Sequence, residues 1–228
     1  MKIAFWLVVA VLGVGLMVGS FRADGPVEAE APFSTGLVVV PKTPDAAPAE
    51  EVQVGLPMTT APMRLLKPGP VAAEILAEIG KTDQEHSNRV ALALCERLFE
   101  LSPAESGIND SLLSSGRLPI PGQAEVLAGS EGKARDRIEV DGTTLTVVGR
   151  LKRDAALLAR GYVIPADAWN RELFDPENDS VRTATIVSAA PEDLAEDPRR
   201  QLDKSFPRDR FDSIGATVRT GPGPFFGY

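Results

Sequence analysis

The chain of 228 residues holds one cysteine and one histidine. A single Cys excludes an intrachain disulfide and any multi-thiolate zinc centre. A single His excludes histidine-rich metal sites and leaves His86 as the sole imidazole base for a catalytic pair. Cations are the minority, 24 Lys plus Arg against 32 Asp plus Glu, for a net charge of −8. Such a chain repels phosphate backbones, so no nucleic-acid partner is expected. The 43% hydrophobic and 25% charged residues suit a folded chain rather than a disordered one. There is no internal repeat and no second apolar run of membrane length beyond the first.

That first run, Ile3 to Phe21, is uncharged over its whole length. At 1.5 Å per residue it measures roughly 28 Å, about one hydrocarbon core. Residues 1–21 therefore read as an N-terminal transmembrane anchor, with the rest of the chain extracytoplasmic. The rival is a cleaved signal peptide, with small residues at Val18-Gly19-Ser20. Gly15 and Gly19 form a G-x-x-x-G pair through which two copies could dimerise.

Residues 22–63 are rich in Pro, Ala and acid and read as a linker, with one short strand at Gly36–Val40. Residues 64–220 read as the extracytoplasmic domain and 221–228 as an irregular tail. Within the domain, Pro70, the apolar row Val71, Ile75, Ile79 and the stop at Gly80 predict a helix. Thr82 and Glu85 match a capping box, and Val90, Leu94, Leu98 and Leu101 extend a second helix from Asp83 to Leu101. Cys95 lies on its apolar side and reads as a small core residue. Leu112 to Pro121 reads as turn-rich. From Ala124 the period changes to two. Strands are predicted at Glu125–Ala128, around Ile138–Val140, from Thr144 to Leu151, at Tyr162–Ile164, Val181–Ser188 and Ile214–Val218. Asp141-Gly142 is a type I′ hairpin signal. Short helices are predicted over Ala166–Phe174 and after Pro191. The fold class is α+β: a small mixed sheet with short helices, preceded by the N-terminal transmembrane helix.

Catalytic templates are incomplete. Gly129-Ser-Glu-Gly132-Lys133 resembles a phosphate loop, but Leu127 stands where its first Gly belongs and Ala134 where Ser or Thr belongs. Asp175 to Asp179 spaces acids as a calcium loop does, but Ser180 and Ile186 occupy its Gly and Glu positions. There is no G-x-S-x-G elbow. Ser114, Ser115 and His86 leave open a Ser–His pairing across the fold. Asn109 and Asn178 head glycosylation sequons by letter. No catalytic, cofactor-binding or metal-ligating residue is assigned, and no cofactor is expected.

Two segments resemble a known family: Leu112-Leu-Ser-Ser-Gly-Arg-Leu-Pro-Ile-Pro-Gly-Gln-Ala-Glu-Val-Leu127 and Asp136-Arg-Ile-Glu-Val-Asp-Gly-Thr-Thr-Leu-Thr-Val-Val-Gly-Arg150. They are similar to the periplasmic core domain of FtsX/MacB-type ABC transporter permeases, with its "GR.P..G..EV" stretch and following hairpin. Gly36–Lys42 and Thr183–Val187 resemble flanking strands of that domain. The resemblance spans residues 34 to 190 and gives Gly116, Arg117, Pro119 and Gly149 structural roles. It implies a non-catalytic module acting by protein–protein contact in an export or envelope assembly, beside a membrane-protein partner such as a multi-helix permease subunit. The later membrane helices of such permeases are absent from this sequence, so it does not form a transport path alone. The alternatives are a stand-alone envelope structural or binding protein, and an anchored hydrolase using His86 and Ser115.

Overall fold

A computed structural model describes residues 32–217 of the chain, apart from 50–51, 53, 103–105, 133, 167–176, 178, 190–192 and 195. The apolar run with Gly15 and Gly19, the segment Ala166–Phe174 beyond Ala166, most of the calcium-like loop and the tail 221–228 lie outside the described residues. Among the described residues no helix is long and apolar enough to cross a membrane.

The described part is a mixed α and β structure built on one large sheet. Ten strands form it: β1 (Thr35–Pro41), β2 (Met58–Leu66), β3 (Glu96–Leu101), β4 (Leu113–Gly116), β5 (Glu125–Ala128), β6 (Arg137–Val140), β7 (Thr143–Leu151), β8 (Gly161–Pro165), β9 (Val181–Ser188) and β10 (Phe211–Thr217). Their order is β10-β1-β9-β2-β3-β8-β5-β7-β4, with β6 also on β7. The β3–β8 and β5–β7 pairs are parallel and the other pairs antiparallel. Among the described residues, three helices of ten or eleven residues accompany the sheet: α1 (Pro70–Gly80), α2 (Gln84–Leu94) and α3 (Glu196–Ser205).

The expected small sheet is thus corrected to a ten-stranded one. The expected linker through residue 63 supplies all of β1 and most of β2. Pro62 is tolerated in β2 because β3 begins to pair only at Met63, so Pro62 has a partner, Thr183, on the β9 side alone. The second predicted helix is also corrected. It stops at Leu94, where Cys95 turns to extended φ and ψ. Its last carbonyls accept guanidinium hydrogen bonds, Leu92 from Arg97 and Ala93 from Arg160, each at 3.1 Å. Cations at a helix C-terminus complement its dipole. Glu96–Leu101 then pairs as β3 between β2 and β8. The N-cap is Asp83 rather than Thr82, its carboxylate accepting from the His86 N–H at 3.0 Å. The turn-rich passage at Leu112 includes a short 3₁₀ turn and β4. Helix α3 covers Glu196–Ser205, and Pro191 and Glu192 of the expected opening lie outside the described residues.

Strand alternation divides the core between the two faces of the sheet. Val38 and Val40 of β1, Phe99 and Leu101 of β3, and Ala184 and Ile186 of β9 face one cluster. On the opposite face, Leu98, Tyr162, Ile164 and Val181 pack with Ile138, Val140 and Leu145 of the β6–β7 hairpin. Further along, Val39 and Val187 meet Leu202, Phe206 and Phe211 at and after α3. Phe206 and Phe211 touch edge to face at 5.2 Å between centroids. Helix α1 departs from this pattern. It has no buried residue, and its apolar row leaves Val71 70% and Ile75 49% exposed. It is tied to α2, in part by the Ser87 hydroxyl donating to the Leu76 carbonyl.

Candidate functional site

The most constrained loop links β4 to β5. Gly116 has φ +80°, and a Cβ there would collide with the Val148 carbonyl. Its partner across the ladder is Gly149, where a Cβ would stand 2.5 Å from the Arg117 carbonyl. Two glycines therefore let the chain cross close over β7 before it turns. Arg117 then reaches forward to Glu125, with Nη1–Oε2 at 2.7 Å and Nη2–Oε1 at 2.5 Å. The Ile120 N–H donates to the same carboxylate at 2.9 Å. These bonds hold the Glu125 carboxyl below the usual carboxylate range: the Arg117 side-chain bond contributes most, then the Ile120 N–H, against burial. The bidentate fork and the backbone bond lock the loop into one shape.

The locked loop presents an apolar surface. Leu118 and Pro119, with Leu101, Ile108, Leu127, Val163 and Pro165, line an open cleft of about 70 Å³. Ile120 stands at the loop tip, 45% exposed. A cleft this small is well below the roughly 300–1,000 Å³ of ordinary small-molecule sites. Its size fits one apolar side chain.

The catalytic candidates are not assembled. No hydrogen bond joins His86 to Ser114 or Ser115 among the described residues. Ser114 donates its hydroxyl to the carbonyls of Arg150 and Leu151. The loop at Gly129–Gly132 is inverted relative to a phosphate cradle. Its carbonyls at Gly129 and Gly132 accept from Arg150, while the N–H groups of Gly129 and Glu131 donate to Gly161 and Ala159. A phosphate nest needs those N–H groups unspent. Asn109 uses its side chain to accept from the Ser111 N–H and cap the 3₁₀ turn. Among the described residues no group of three or more His, Cys, Asp or Glu could hold a metal. Cys95 is buried, and burial pushes its thiol up, partly offset by the Arg97 charge.

Two buried arginines escape the sequence patterns. Arg97 is 4% exposed and is pushed down to about 10, by burial first and then by Arg160. Arg64 is also 4% exposed and forms an ion pair with Asp141 at the tip of the β6–β7 hairpin. Burial lowers the pKa of Arg64 from its ordinary value. The Arg64–Asp141 pair leaves no trace in the local sequence, because it joins elements far apart in the chain, and Arg97 turns back onto the Leu92 carbonyl only because the helix ends before it. The Arg117–Glu125 fork does fall within the quoted motif, but its two partners are not identifiable as a pair from spacing alone.

No protein family, no characterised protein and no solved structure matches this chain.

Proposed function

We propose that the chain is a membrane-anchored extracytoplasmic module that works by protein–protein contact in an export or envelope assembly, in the manner of the permease domain it resembles. The supporting observation is the Gly116–Glu125 loop. The residues that carry the resemblance, Gly116, Arg117, Pro119, Glu125 and Gly149, are those that lock this loop and shape the cleft beside it. A rigid loop loses little conformational entropy on association, and an exposed aliphatic tip beside an apolar cleft is a fitting contact feature. The partner in this reading is a membrane protein, such as a multi-helix permease subunit.

The test is site-specific photocrosslinking in intact cells, with the crosslinker at Ile120 in the full chain and at exposed Arg199 of α3 as a control. One defined membrane protein trapped from position 120 and not from 199 is the expected result. Equal trapping from both positions defeats the reading. So does purification of the chain alone from native membranes with turnover of a model ester, peptide or glycoside that is lost on changing His86 or Ser115. The anchor is checked separately. Intact mass of protein extracted from membranes should retain Met1 or Lys2, and a mature start near Phe21 would replace the anchor with a cleaved leader.

A further inference from the structure

We propose that the sheet face beneath the β6–β7 hairpin is a binding site for a carboxylate ligand, and that Asp141 occupies it as an internal substitute. Arg64, Leu98 and Tyr162 lie opposite one another on β2, β3 and β8, in one row on one face. Strands are spaced about 4.8 Å apart, so the backbones of Arg64 and Tyr162 are roughly 10 Å apart, with Leu98 between. The hairpin covers this row with Ile138, Val140 and Leu145. Both polar residues are almost wholly buried, Arg64 at 4% and Tyr162 at 1% exposure.

Their hydrogen-bonding capacity is not met. Among the described residues, none of the three Arg64 side-chain nitrogens has a hydrogen-bond partner, Nη1 having only its ion pair with Asp141, and the Tyr162 hydroxyl has none either. Buried donors without acceptors are costly, and a buried guanidinium presents five N–H donors. A ligand carboxylate supplies the acceptors that Arg64 lacks, and a second ligand oxygen serves Tyr162. The charges that reach Tyr162 are mixed: Glu96 raises its pKa after burial, Arg135 and Arg150 lower it, and Arg135 is itself paired with Glu96 at 3.7 Å. The acceptor need therefore rests on Arg64 and the Tyr162 hydroxyl.

Asp141 is poised to leave. Its side chain is 65% exposed on a two-residue turn, whereas the Arg64 side chain it covers is 5% exposed. Exchange of one carboxylate for another at Arg64 needs no covalent change. The tip of the hairpin lifts, Asp141 returns to water, and the incoming carboxylate takes the guanidinium in a bidentate pair. The chemistry is shared by small dicarboxylates and by acidic side chains of an extended peptide.

Calorimetric titration of the detergent-solubilised full chain tests this with two probes, glutarate and a capped peptide containing Glu. Asp141→Asn keeps a residue that tolerates positive φ and removes the internal carboxylate. It should bind a probe about ten-fold more tightly than wild type, the effect of removing one competing charged hydrogen bond. Tyr162→Phe in that background should weaken binding several-fold, and Arg64→Met should abolish it. Tighter binding of the peptide identifies a macromolecular source of the carboxylate, and tighter binding of glutarate a small metabolite. No gain in Asp141→Asn overturns the proposal and leaves the ion pair as a structural contact only. Equal binding after Tyr162→Phe and Arg64→Met overturns it as well.

Discussion

Replacing Gly142 by Val tests how the hairpin holds the second core together. Asp141 has φ +48° and Gly142 φ +78°, the two left-handed positions of a type I′ turn. A Cβ built on Gly142 meets nothing within 4 Å. The cost of a side chain there is therefore conformational and not steric. For an L-residue the left-handed region costs roughly 1–2 kcal/mol, with β-branched residues at the upper end. The strain is felt by the whole fold, because the hairpin carries Ile138, Val140 and Leu145 into the core against Leu98 and Tyr162. Urea unfolding of the full chain, followed by far-UV circular dichroism, measures it. With a denaturant slope of about 2 kcal/mol per molar urea, Gly142→Val should lower the midpoint by roughly 0.5–1 M. Gly142→Asn should lose clearly less, since Asn tolerates the left-handed region. An unchanged midpoint for Val refutes the reasoning, and so does an equal loss for Val and Asn.

Gly116→Ala should cost roughly 2 kcal/mol or more, because left-handed strain adds to the collision with the Val148 carbonyl. Gly122 shares the positive φ but has open space around it, so thermal unfolding of Gly122→Ala should show a smaller loss. Glu125 contributes to a pH dependence of known sign. Its folded-state pKa is lowered, so its contribution is present above the unfolded carboxylate value of about 4.3 and is lost as pH falls through the lower folded value. The stability gap between wild type and Glu125→Gln, read as a difference in urea midpoint, should be widest near neutral pH and close in acid below that value. Cys95 is buried with its thiol pushed up, so a thiol reagent should label it slowly in the folded chain and rapidly in urea. Fast labelling under native conditions refutes its placement in the core.

Elements set by short-range chemistry were legible in the sequence. The Asp141-Gly142 turn is one, because positive φ at two successive residues is a local demand that Asp and Gly meet. Strand β9 falls on the expected residues, Val181–Ser188, and α1 follows its Pro70 start and Gly80 stop to within a residue. Elements chosen by partners were not legible. The apolar residues of Glu96–Leu101 continue the spacing of α2, and local pattern extends the helix through them. Only the strands β2 and β8 on either side, with Arg97 and Arg160 closing the helix at Leu92 and Ala93, make that segment a strand. β2 was hidden by its Pro62, which its place beside β9 accommodates. The exposure of α1 was equally unreadable, since an apolar row predicts a helix but does not say what covers it. The locked loop divides the same way. Gly116, Arg117 and Pro119 announced a shaped turn, but the cleft exists only where Leu101, Ile108 and Pro165 arrive from other elements. Turn and cap chemistry acts over a few bonds and is written in adjacent residues. Pairing, burial and the partners of Arg64 and Glu125 depend on contacts that exist only once the chain has closed on itself.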